Sequence, residues 1–136
     1  MTGSSELLQV HNLRRHFTKN HGFFRRETWI TRAVEDVSLE VRPGETLALV
    51  GESGCGKSTV ASLLTGLIKP TSGSIFWKGR DITAVTPPER RALSREIQIV
   101  FQDPYGSLNR RMTAFDIIAE PLRIHKAVAG HKLCDR

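Results

Sequence analysis

The stretch that decides the fold of this chain is Gly51-Glu52-Ser53-Gly54-Cys55-Gly56-Lys57-Ser58. It matches the pattern G-x-x-x-x-G-K-[ST] in full, in which the backbone of a glycine-rich loop surrounds the phosphates of a nucleotide. The glycines are needed because the loop turns its N–H groups inward through conformations that other residues rarely adopt. The Lys57 ammonium reaches the β and γ phosphates, and the Ser58 hydroxyl is a ligand for Mg²⁺. The pattern therefore predicts a site for ATP and Mg²⁺.

The segments on either side of the loop favour this interpretation. The apolar run 46–50 is typical of a strand buried on both faces. Residues 58–68 place apolar side chains on one face of a helix, whose N-terminal amides and positive dipole end favour an anion. Thr59 in its first turn is counted among the nucleotide-binding residues. A glycine-rich turn without a ligand is the alternative, and the strand–loop–helix context disfavours it. Cys55 fits a position that needs a small residue, or a thiol whose pKa the helix N-terminus lowers.

The rest of the chain alternates between strand and helix patterns. Strands are predicted at residues 7–13, 31–41, 74–78 and 97–101, helices at 87–95 and 113–125, and a surface loop at 19–27. This alternation predicts an α/β fold with a mainly parallel sheet and flanking helices. The N-terminal strands are expected to form an antiparallel β addition.

Composition limits the function classes. A chain of 136 residues with 39% hydrophobic and 25% charged residues suits one globular domain. No apolar run approaches the roughly 20 residues of a membrane helix, and no secretory signal is evident, so a cytoplasmic location is expected. Two distant cysteines predict neither a disulfide framework nor a metal site. The net charge of +6 fits a basic solvated surface; a nucleic-acid binder is a weaker alternative, since the usual sequence signatures are missing.

A second motif narrows the family. Residues 51–58, taken with Phe101-Gln102-Asp103-Pro104-Tyr105-Gly106-Ser107-Leu108-Asn109, resemble the ATP-binding subunits of ABC transporters, and most closely those of oligopeptide and dipeptide importers. Similar segments lie at 44–46, 72–75 and 116–122, so the resemblance extends from about Leu7 to His125. It implies a P-loop NTPase core, ATPase activity in the intact form, and peptide transport.

The resemblance also implies individual roles. Gln102 is similar to the glutamine that contacts Mg²⁺ and the attacking water, and it joins Lys57 as a catalytic residue. Phe17 is similar to the aromatic residue that stacks on adenine; the alternative is an ordinary core residue. The implied partners are transmembrane permease subunits and a second ATP-binding subunit, with the protein peripheral on the inner face of the cell membrane.

The chain departs from the family pattern after Asn109. Arg110 stands where importers usually have proline, and the Leu-Ser-Gly-Gly-Gln signature, the apolar strand ending in Asp-Glu and the switch histidine are not found. We therefore expect a partial domain: an antiparallel β part at 1–45, a phosphate-loop core at 46–109 and the start of a helical subdomain at 110–136. Such a chain is expected to bind nucleotide with little or no hydrolysis.

Three alternatives remain open at this point. One is a non-catalytic nucleotide-binding fragment or partial gene product. The second is an unrelated P-loop enzyme such as a small-molecule kinase, which the segment around Gln102 disfavours. The third is the nucleic-acid binder, which requires binding that falls steeply with salt.

Overall fold

A computed structural model describes residues 6–21 and 27–125. The described residues form two compact units that meet in sequence between Ile97 and Gln98, and each is treated by itself. The elements of the first unit are β1 (Leu8–His21), β2 (Glu27–Val41), α1 (Lys57–Leu64), β3 (Ser72–Trp77), β4 (Arg80–Asp81) and α2 (Pro87–Leu93). Those of the second unit are α3 (Pro104–Ser107) and α4 (Ala114–Ile124).

The sheet of the first unit has four strands in the order β2-β1-β3-β4, and every neighbouring pair is antiparallel. Val10 of β1 lies between Leu39 of β2 and Ile75 of β3. One face of this sheet packs on α1 and forms the core, because apolar residues alternate along the strands. The buried members of this core are Val10, Leu13, Val34, Val60, Leu63, Ile75 and Ile82.

The pairing of β1 with β2 is irregular near its middle. Arg15 pairs with Val34, and the next residue, His16, pairs with Arg32. Strand β2 therefore contributes one extra residue, Ala33, between these two pairs. An extra residue of this kind bends its strand and redirects its backbone groups. The irregularity matters below because the phosphate loop packs against Ala33.

Two predicted strands are not formed. Residues 46–50 and 97–101 carry no regular secondary structure, and no described strand is paired in the parallel sense. A strand buried on both faces needs a hydrogen-bonding neighbour and a layer above and below it. Neither covers these segments among the described residues, since Val50 is 93% and Val100 is 92% exposed. The antiparallel β part is present, as predicted.

The other predicted elements are found with shifted ends. The helix predicted at 58–68 spans Lys57–Leu64, and the strand predicted at 74–78 spans Ser72–Trp77. Both ends of the loop predicted at 19–27 are strand instead, because β1 continues to His21 and β2 begins at Glu27. Residues 22–26 lie outside the described part. The short elements β4 and α3 had no sequence signal strong enough to predict them. No helix in the described ranges is long and apolar enough to cross a membrane.

Candidate phosphate-binding site

The phosphate loop has the backbone geometry that its glycines predict. Gly54 has φ of 83° and Gly56 has φ of 96°, which is the left-handed region where a side chain is strained. The turn at Ser53 and Gly54 brings the chain round, and α1 begins inside the motif at Lys57. The loop is thus a tight bend that ends directly in a helix N-terminus.

Gly56 also fixes where the loop lies. A side-chain carbon at this position would collide with the carbonyl oxygen of Ala33, the extra residue of β2. Only glycine permits an approach this close. The irregularity of β2 and the last glycine of the motif therefore seat the loop against the sheet.

The first turn of α1 has no protein group to close it. Its N-cap is Gly56, which makes no side-chain capping bond, and the turn contains no acidic residue. The first N–H groups of a helix have no partner within the helix and carry part of its positive dipole end. This terminus is therefore suited to an anion.

The Lys57 ammonium lies across the loop. Its Nζ donates hydrogen bonds to the carbonyl oxygens of Gly51 (2.8 Å) and Glu52 (2.6 Å) and to the Sγ of Cys55 (3.3 Å). An ammonium group has three donors, so these contacts use all of them. The charge is held over the bend, and a phosphate oxygen would take the place of one or more of these acceptors.

Cys55 is exposed beside this lysine. The hydrogen bond from the Lys57 ammonium is the main cause that lowers the pKa of the Cys55 thiol from its ordinary value, and Coulomb attraction acts in the same direction. Both come from the positive potential over the loop. The same potential favours phosphate.

A cleft of about 390 Å³ opens beside the loop. It lies between β2, the 46–50 segment and α1, and Val34, Glu35, Leu49, Cys55, Lys57 and Val60 are among its lining residues. Glu35 forms a hydrogen bond with His16, with 2.7 Å between the Oε2 of Glu35 and the Nε2 of His16. This hydrogen bond is the main cause that lowers the pKa of Glu35, so the group stays anionic. The cleft is thus lined by both apolar and charged side chains.

The residues present suit Mg²⁺ in one respect. Magnesium prefers oxygen ligands and usually binds through one or two protein groups together with substrate phosphates and water. Ser58 is exposed in the first turn of α1, and no hydrogen bond among the described residues engages its hydroxyl. Thr59 is half-buried in the same turn.

Phe17 lies on β1, close to the irregular part of its pairing with β2. It pairs with Thr31, which is two residues from Ala33 on β2. Strand spacings put the Cα atoms of Phe17 and Ala33 about 8 Å apart. The ring is 39% exposed, so the interpretation of Phe17 as a buried core residue does not hold. Its role in adenine binding stays a prediction.

Gln102 lies in the second unit, where it is exposed in the segment before α3. The loop residues from Gly51 to Thr59 are brought together in the first unit. The predicted contact of Gln102 with Mg²⁺ and water stays a prediction.

Sequence reasoning missed three features of the site. The backbone of Ala33 and the Glu35–His16 pair depend on how β1 pairs with β2. The guanidinium of Arg15 lies 4.4 Å from the centre of the Phe17 ring on the same strand. Arg15 and Phe17 carried a weak signal, because residues two apart on a strand share a face. The register shift at Ala33 carried none.

Comparison with known proteins agrees with this geometry. The sequence model of the family described as ABC transporter matches residues 34–135. A relative from Sinorhizobium fredii described as "Probable peptide ABC transporter ATP-binding protein" is 53% identical over 119 residues, covering 88% of this chain and 34% of the relative. The oligopeptide transport ATP-binding protein OppF of Escherichia coli (strain K12) is 46% identical over 125 residues, covering 90% of this chain and 37% of the relative. The chain thus spans about a third of the length of these relatives.

A solved structure has the same fold. The bacterial ABC transporter cassette MJ0796, in its dimeric structure, superposes with a TM-score of 0.71 and 26% identity, covering 94% of this chain and 53% of that chain. A second structure of the same cassette is a post-hydrolysis state bound to ADP and Pi. The predicted fold class is confirmed at this level, although the described sheet is antiparallel throughout.

Proposed function

Since this chain belongs to the ABC transporter family, we propose that it is the ATP-binding, energy-coupling part of an importer for peptides. The names of the relatives from Sinorhizobium fredii and Escherichia coli support the peptide class. ATP hydrolysis by the whole protein would power the transport. We place selection of the solute in other subunits, since the phosphate loop is suited to an anion.

One observation carries the proposal. The phosphate loop ends in a helix whose N-terminus has neither a capping side chain nor an acidic residue, with the Lys57 ammonium held over the bend. Free amides, a dipole end and a cation are thus brought together in one loop. A triphosphate is the ligand that uses all three.

The bound nucleotide would be held in three places. Loop amides from Gly51 to Thr59 surround the phosphates, and Lys57 exchanges its carbonyl partners for phosphate oxygens. The Ser58 hydroxyl would hold Mg²⁺, which supplies charge neutralisation between the phosphates. Phe17, about 8 Å along the sheet from Ala33, would stack on adenine.

Gln102 has a proposed part in turnover rather than in binding. An amide side chain both donates and accepts hydrogen bonds, so it would orient the attacking water and contact Mg²⁺. We assign Gln102 and Lys57 as the catalytic residues of the intact protein.

The proposed partners follow from family membership. A second ATP-binding subunit would face the phosphates from the opposite side; the cassette MJ0796 is a dimer in its solved structure, which supports a paired arrangement. Transmembrane permease subunits would hold the protein at the inner face of the cell membrane. This would make the subunit peripheral, with ATP binding coupled to movement of the permease.

Binding of Mg-ATP by the 136-residue chain tests the proposal. Replacing Lys57 by alanine removes charge-assisted hydrogen bonds worth about 1.5–3 kcal/mol each. The dissociation constant for ATP should therefore rise roughly ten- to a hundred-fold in isothermal calorimetry. The matched control is Lys69→Ala, which removes an exposed lysine side chain beyond α1 but keeps the backbone carbonyl, and it should leave the affinity unchanged. Equal affinities in all three proteins would exclude Lys57 from the site.

Phosphate release distinguishes binding from turnover. We expect the 136-residue chain to bind ATP with little steady release of phosphate, because the loop supplies groups on one side of the triphosphate only. Steady release that Lys57→Ala abolishes would contradict this expectation. Transfer of phosphate to an added acceptor would instead favour a kinase.

A further inference from the structure

The side chain of Arg15 lies over the ring of Phe17. Its Cζ is 4.4 Å from the ring centre, well within the range in which a guanidinium and an aromatic face attract each other. The two residues are two positions apart on β1 and so share a face of the strand. Nothing in the phosphate motif accounts for this arginine.

The guanidinium is held in this place by a second contact. The Nη1 of Arg15 donates a hydrogen bond of 3.0 Å to the carbonyl oxygen of Lys69. That carbonyl is itself fixed, because the nearby Thr71 bonds β1 on both sides of Arg15. The Thr71 N–H donates to the Arg14 carbonyl (2.8 Å), and the Thr71 hydroxyl accepts from the His16 N–H (3.0 Å).

Access of the charged group to water does not explain where the Arg15 side chain lies. Its Nε is buried and has no hydrogen-bond partner among the described residues. A buried donor without a partner is unfavourable, so the ring contact and the Lys69 bond outweigh it. The guanidinium is thus a fixed plane against one side of an otherwise exposed ring, since Phe17 is 39% exposed.

We infer that Arg15 is a positioning residue for the nucleotide base: it covers one face of the Phe17 ring and leaves the other face for adenine. The inference rests on the proposed function, in which Phe17 stacks on the base. The cation fixes the orientation of the ring. It also offsets the negative potential of the ring face, which otherwise repels the face of a second aromatic system.

The consequence is specific to the base. Arg15 acts through Phe17, and the triphosphate lies at the loop, so the contribution of Arg15 should depend on the presence of adenine. A purely electrostatic role of Arg15 would instead affect any polyphosphate. Inorganic triphosphate is therefore the probe that separates the two roles.

The test measures binding of ATP and of inorganic triphosphate, each with Mg²⁺, to the 136-residue chain and its Arg15→Met variant. We expect the dissociation constant for ATP to rise about two- to five-fold, the range of an exposed cation–π contact. The constant for inorganic triphosphate should not change. Arg91→Met, which removes an exposed arginine of α2, is the matched control.

A second variant guards against misfolding. Arg15→Gln retains a donor for the Lys69 carbonyl but removes the cation, and it should show the same loss of ATP affinity. In a Phe17→Ala background, which should itself weaken ATP binding about five- to a hundred-fold, Arg15→Met should have no further effect. A structural role of Arg15 would persist in that background.

Unchanged or tighter ATP binding by Arg15→Met and Arg15→Gln would overturn the inference, since tighter binding means that Arg15 occupies the face the base requires. An equal loss for ATP and inorganic triphosphate would overturn it in favour of a charge effect. If Lys57→Ala weakens ATP binding while the Arg15 variants do not, the inference alone fails. If the unsubstituted chain binds neither probe, the proposed function fails with it.

Discussion

Three of the described helices, α1, α2 and α4, begin in two different ways. At α2 the Glu89 carboxylate accepts hydrogen bonds from the backbone N–H (2.9 Å) and the hydroxyl (2.8 Å) of Thr86. At α4 the Thr113 hydroxyl accepts from the backbone N–H of Asp116 (3.1 Å). Both termini thus have a threonine N-cap and an acidic residue in the first turn, the usual means of satisfying free amides.

Helix α1 has neither device. Its N-cap is Gly56, and no acidic residue lies in its first turn. Two helix ends are satisfied by their own side chains, whereas the third keeps its amides available, and this third end carries the glycine-rich motif. The phosphate loop can thus be identified as much by the missing capping groups at the start of α1 as by the presence of Lys57.

The largest expected effect comes from Gly56→Ala. This substitution changes the N-cap residue of α1, the helix whose first amides have no capping side chain. A side chain here is strained by the φ of 96° and collides with the Ala33 carbonyl. We expect the free energy of unfolding to fall by roughly 2–5 kcal/mol, combining left-handed strain with overpacking. Urea titration measures this change in the free energy of unfolding.

Gly54→Ala is the matched control for Gly56→Ala. Gly54 has a similar φ of 83°, but nothing lies within 4 Å of the position that its side chain would take. It should cost only the strain, roughly 1–2 kcal/mol. Equal losses for both variants would show that the contact with Ala33 is unimportant.

An intermediate effect is expected from Thr59→Glu. Thr59 is the third residue after the N-cap of α1, the position that Glu89 occupies in α2. The added carboxylate should stabilise the helix by about 0.3–1 kcal/mol. It should also repel phosphate and weaken ATP binding roughly tenfold. The melting temperature should therefore rise while the affinity for ATP measured by calorimetry falls.

The neutral variant Thr59→Gln is the control for this charge effect. It should leave the affinity for ATP close to that of the unsubstituted chain. An equal loss of affinity would point to crowding by the longer side chain and not to its charge.

The smallest expected effect concerns the N-terminus of α2, where Thr86 and Glu89 form a capping box. The backbone N–H of Thr86, followed by its hydroxyl, lowers the pKa of Glu89 below its ordinary value of 4.5. The folded state therefore binds the proton of Glu89 less readily than the unfolded state. This stabilisation is present above pH 4.5 and is lost as the pH falls through the lowered folded value. Glu89→Gln should destabilise the protein at pH 7 and cost progressively less below pH 4.5.

Thermal melts of Glu89→Gln at pH 7 and pH 3 measure this difference. Glu40→Gln, an exposed carboxylate of β2 away from any helix terminus, is the control. A Glu89→Gln penalty that is independent of pH would show that the carboxylate does not cap α2.

The sequence predicted the local geometry of the phosphate loop better than it predicted the sheet. The loop from Gly51 to Ser58 was predictable because its chemistry depends on residues that are adjacent in the chain. Helices α2 and α4 were predictable for the same reason, since their caps are local. The segments 46–50 and 97–101 have the composition of buried strands, but a strand forms only with a partner, and composition does not specify one.

The contacts of Arg15 show the same limit. Its position over Phe17 follows from strand alternation, whereas its bond to the Lys69 carbonyl joins residues 54 positions apart. The extra residue Ala33 is likewise a property of the β1–β2 register and not of any short motif. The long-range contacts around Arg15 and Ala33 are therefore beyond what the chain reveals locally.

The three hydrogen bonds of the Lys57 ammonium have a thermodynamic consequence. They act as an internal stand-in for the ligand, because the loop is already braced around a cation before any triphosphate arrives. Under the proposed function, binding would replace carbonyl acceptors with phosphate oxygens and would not have to order a flexible loop. The measured heat should accordingly be smaller than a count of new contacts suggests, while the entropic penalty of arranging the loop is largely avoided.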